Sequence, residues 1–74
     1  MFEEVKRLLV EQVGVDAGEI KMESELANDL GINSIDLAEL IMACEEKYGV
    51  TIEDEEIHKL ITVGDVVNYL ESKK

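Results

Sequence analysis

Proline is absent from this sequence, so no ring forces a kink and no stiff polyproline linker divides the chain. Cys44 is the only cysteine and His58 the only histidine. A single thiol rules out an intrachain disulfide framework and fits a reducing compartment. With no second cysteine or histidine at ligand spacing, Cys44 reads as a core residue rather than a zinc ligand. No apolar run approaches the ~20 residues that span a bilayer, and the opening MFEEVKRLLVEQ carries acids where a signal peptide needs a basic start. Only seven lysines and arginines stand against eighteen acids, leaving a net charge of −11, which repels nucleic-acid backbones. These absences lead to the expectation of a soluble cytoplasmic monomer, residues 1–74 forming one domain with one modest core.

What is present is acid, and it is concentrated. Residues 23–56 hold eleven acids against the single base Lys47, a net of −10. Such a field destabilises a small fold by self-repulsion and steers partners that carry basic patches.

The apolar residues follow helical spacing. Phe2, Val5, Leu8, Leu9 and Val13 predict an amphipathic helix over residues 2–13, stopped by Gly14. Residues 15–33 form a long connection still dotted with apolar anchors, expected to pack across the helices with a short turn near residues 24–26. Leu37, Leu40, Ile41, Cys44 and Tyr48 make one stripe of a second helix over Ser34–Tyr48, with Asn33 as N-cap, Asp36 three positions on, and Gly49 as the stop. The alternation in VTIEDEE has no second strand to pair with, so a short third helix is expected over residues 55–60. The last helix begins at Thr62, with Asp65 three residues later, and buries Val63, Val66, Val67 and Leu70. The expected fold is an all-α four-helix bundle, three main helices and one short one, with a long loop between the first two.

The second helix carries a remainder. Ile35, Ala38 and Met42 lie three and four residues apart, offset from the core stripe and bordered by Asp36, Glu39, Glu45 and Glu46. An apolar strip edged by one sign of charge suits a partner's surface, although wider burial by the long connection explains it too.

Ser34 stands at the start of that helix, in DLGINSIDL. Catalysis by this serine would need a base and an oxyanion hole; there is no G-x-S-x-G elbow, and His58 lies in a charged stretch as a surface residue. A calcium loop fails as well: in the twelve-residue window 28–39, Leu30 and Ile32 occupy ligand positions and Asn33 replaces the turn glycine. No glycine-rich phosphate loop is present. Ser34 is left as a first-turn residue or as a hydroxyl displayed for modification.

DLGINSIDLAELIMACEEKYGVTI resembles the central segment of acyl carrier proteins, in which D-x-G-x-D-S-L opens the second helix. TVGDVVNYL resembles that family's last helix, and the two motifs stand in the family's order. The resemblance implies a carrier and not an enzyme. It makes Ser34 the attachment point of 4′-phosphopantetheine, installed from coenzyme A by a phosphopantetheinyl transferase. Acyl intermediates of fatty acid or related biosynthesis would then travel as thioesters on the arm. It also gives the second helix to partner synthases and transferases, through Ile35, Ala38 and Met42 as apolar contacts and Asp36, Glu39, Glu45 and Glu46 as acids. Three positions depart from the family pattern: Asn33 for the usual Asp, Ile35 for Leu, and Glu53 where Pro is frequent. The other readings are a specialised aminoacyl or D-alanyl carrier and, outside the family, an acidic helical adaptor in which Ser34 only helps start a helix.

Overall fold

In the computed structural model, which describes residues 1–73, the apolar spacing becomes helix at each place where it is sustained. α1 spans Phe2–Leu8 and α2 spans Ser34–Tyr48. α3 is a single turn at Asp54–Ile57, and α4 spans Val63–Ser72. α1 packs on α2 and α4. The side chains sealed completely between them are those the periodicity selects: Val5 and Leu9 from the first helix, Leu40 and Cys44 from α2, Val63, Val66 and Leu70 from α4. Burial of each large aliphatic side chain contributes about 1.5–3 kcal/mol. Cys44 is one of this set, and burial pushes its thiol up to about 11, only partly offset by Lys47.

Three local expectations change in detail. The first helix runs to Val13 as expected, but its last turn, Leu9–Val13, is π-helical. There Gly14 N–H donates to the carbonyls of both Leu9 and Val10, at 3.1 Å each. The third helix starts at Asp54 and ends at Ile57, instead of covering residues 55–60. Its N-cap, Glu53, makes no side-chain cap bond, so nothing local fixes where it begins. The long connection folds at several points rather than one. A 3-10 turn at Ala17–Glu19 is opened by Asp16, whose carboxylate accepts from Gly18 N–H at 3.0 Å, and further turns occupy residues 22–23 and 26–30.

The connection packs down as its apolar anchors require. Val15, Ile20, Leu26 and Ile32 are buried. Ser24, the one buried polar side chain among the described residues, is satisfied on both sides: its hydroxyl accepts from Lys21 N–H at 3.1 Å and donates to Glu19 O at 3.0 Å. Main-chain bonds then hold the connection to the start of α4. Leu26 N–H donates to Ile61 O at 2.9 Å, Val63 N–H to Ser24 O at 3.0 Å, and Gly64 N–H to Met22 O at 2.8 Å. The last approach requires glycine, because a Cβ at position 64 would meet Met22 O at 3.0 Å.

Candidate functional site

α2 begins where the connection ends, and its first turn is fixed by sequence. Gly31 turns the backbone at φ 67°, a conformation side chains resist, and delivers Ile32 into the core. Asn33 follows in extended conformation and caps the helix: its Oδ1 accepts from Asp36 N–H at 2.8 Å. Asp36 returns no side-chain bond to Asn33 among the described residues, so the pairing is one-sided. Ser34 is the first helical residue, and it is exposed. The N–H groups of Ser34 and Ile35 precede the first intrahelical bond and have no partner among the described residues. A hydroxyl here is accessible and stands at the positive end of a fifteen-residue helix, where an anion is favoured.

Beside Ser34 lies a groove of about 460 Å³, within the range of small-molecule sites. Its apolar lining comes from three parts of the chain: Leu26 and Ile32 of the connection, Leu37 of α2, and Ile57 and Leu60 from α3 and its exit. Five polar side chains stand around it: Glu25, Asn28, Asn33, Ser34 and His58. Periodicity could not reveal this groove, because its walls meet only through tertiary packing. His58 is exposed, as the sequence suggests, yet it borders the groove.

Along α2 the expected contact residues separate into groups. Ile35 and Met42 are 70% and 60% exposed, large apolar side chains left uncovered. Ala38, Glu39 and Glu46 are exposed with them, and Asp36 is half-buried. Glu45 sits differently. It is half-buried, and its Oε2 accepts from Ile52 N–H at 2.8 Å, bracing the chain between α2 and α3. At the far end of α2, Tyr48 donates to Glu4 of α1 at 3.1 Å. Burial, joined by that bond, pushes the phenol up to about 12.

Comparison with known proteins agrees with this geometry. The family described as phosphopantetheine attachment site matches residues 3–70. An acyl carrier protein of Clostridium acetobutylicum is 51% identical over 72 residues, 97% of this chain and 94% of that protein. One from Campylobacter jejuni is 51% identical over 73 residues, 99% of this chain and 95% of its own. One from Helicobacter acinonychis is 47% identical over 74 residues, 100% of this chain and 95% of its own. Proteins of this kind hold 4′-phosphopantetheine covalently, and what the site must offer such a group is present: a reachable hydroxyl, free N–H groups for a phosphate, and an apolar groove alongside. With full-length identity near one half and a fold of four helices around an open serine, the chain belongs to the acyl carrier protein family.

Proposed function

We propose that Ser34 is the attachment residue and that the protein carries acyl intermediates of fatty acid or related biosynthesis in the cytoplasm, acting as the substrate of a phosphopantetheinyl transferase and not as a catalyst. The observation that carries this reading is the exposed Ser34 hydroxyl at an open helix start, flanked by an apolar groove of about 460 Å³. Asn33 holds the first turn, so Ser34 is not spent on capping and its oxygen stays free. In the transferase that oxygen attacks the pantetheine-side phosphorus of the coenzyme A pyrophosphate, its proton passing to the enzyme; the P–O–P bond breaks and adenosine 3′,5′-bisphosphate leaves. The unpartnered Ser34 and Ile35 N–H groups would hold the resulting phosphodiester. Once attached, the group supplies a terminal thiol for thioester carriage. The groove's apolar lining favours an alkyl chain over the small polar cargo of an aminoacyl or D-alanyl carrier.

Docking falls on the exposed strip of α2. Ile35, Ala38 and Met42 supply burial, while Asp36, Glu39 and Glu46 steer basic patches of the transferase and of synthase enzymes. Glu45, expected beside them, contributes mainly by holding the α2–α3 chain through Ile52. The decisive experiment is intact mass after co-expression with a broad-specificity phosphopantetheinyl transferase. The wild-type chain gains one phosphopantetheinyl group and Ser34→Ala gains none. An unmodified wild type, or a modified Ser34→Ala, overturns the reading.

A further inference from the structure

We propose that His58 is a positioning residue for the prosthetic arm: its imidazole hydrogen-bonds the polar stretch of the arm where it crosses the mouth of the groove. This rests on attachment at Ser34. Of the five polar side chains around the groove, three already make a hydrogen bond. Asn28 Nδ2 donates to Glu25 Oε1 at 2.6 Å, and Asn33 Oδ1 holds the α2 cap. Ser34 and His58 are the two whose side chains make no hydrogen bond among the described residues.

They also line the same groove from two different elements. Ser34 opens α2, whereas His58 closes α3, its N–H donating to Asp54 O at 3.4 Å. An arm tethered at one and running into the groove therefore passes the other. Along the apolar lining, which includes Leu26, Ile32, Leu37, Ile57 and Leu60, the arm's hydroxyl and two amides would find few partners, and unpaired polar groups are costly. An imidazole remedies this, because it offers one donor and one acceptor without requiring charge. Glu25 already accepts from Asn28, and the other nearby charges, Asp54, Glu55 and Lys59, lie on His58's own stretch of chain.

The test uses protein loaded by the transferase from octanoyl coenzyme A, with loading verified by mass. Proton NMR then reads contacts between the His58 ring and the arm's methyl groups, and hydrogen exchange of the arm's two amides. The expected result is ring-to-arm contacts and several-fold slower exchange of at least one amide than in free pantetheine. His58→Gln, which keeps a donor and an acceptor, retains the slowing, and His58→Ala loses it. Because the side chain is exposed, neither substitution disturbs the core. Arm amides that exchange as in free pantetheine, or protection that survives in His58→Ala, overturn the proposal while leaving carriage intact. A chain that never gains the group overturns attachment at Ser34 first.

Discussion

α2 and α4 start on the same sequence pattern, a capping residue with aspartate three positions later, and they end up in opposite conditions. At α4 the pattern closes on itself. Thr62 Oγ1 accepts from Asp65 N–H at 3.1 Å, and Asp65 Oδ2 accepts in return from the N–H groups of Thr62 and Ile61, at 3.0 Å each. Those bonds hold the Asp65 carboxyl below the usual carboxylate range. At α2 only the forward bond forms, from Asp36 N–H to Asn33, and the next residue is an exposed hydroxyl. One helix start spends its polar groups on stability. The other leaves two N–H groups and a serine oxygen without partners among the described residues. A short chain of high charge needs both, because stability spent at one site has to be regained elsewhere.

The sharpest way to break this contrast is Ser34→Ala. Loading, read by mass, is abolished, while stability changes by less than ~0.5 kcal/mol because Asn33 and not Ser34 is the cap. A collapse in thermal stability would mean that the serine is structural. Next in size, Glu39→Lys on the open side lowers transferase affinity several-fold at low salt, with the difference shrinking as salt rises; titration calorimetry at two ionic strengths measures it. On the closed side, Thr62→Ala costs ~1 kcal/mol, which lowers the melting temperature by ~4–8 °C in a domain of this size, and loading is unaffected.

Acid adds a further distinction. A carboxyl held low in the folded state binds fewer protons there than in the unfolded chain. The stability it confers is therefore complete above the ordinary carboxylate range and lost as pH falls through the folded value. Asp65→Asn should flatten that acid limb of the melting curve. The smallest change is Asn33→Asp, which keeps the cap within ~0.5 kcal/mol and restores the charge usual in the family. Loading rates should rise modestly; equal rates would show that the amide is silent.

Much of this was legible because it is written locally. The α2 boundaries follow from Asn33 and Gly49, and the start of α4 from Thr62 and Asp65. The 3-10 turn after Asp16 had a signal too, in the Asp-Ala-Gly sequence that forms it. Other features had none. The acids around α3 give no punctuation, and no local signal marks the π turn at Leu9–Val13. The bond from Ile52 N–H to Glu45 spans seven residues that no periodicity links. The groove stayed hidden for the same reason, since Leu26, Leu37 and Ile57 come together only after α2, α3 and the connection have found one another.

The hydrogen bonds that fasten the connection between the first two long helices to the start of α4, at Met22, Ser24 and Leu26, all run between main-chain groups. Amide and carbonyl partners are indifferent to the side chains above them. Exposed residues such as Lys21 and Glu23 are therefore free to be exchanged without loosening the fastening. This gives the protein a stretch of surface whose side chains can change while the path of the chain stays the same.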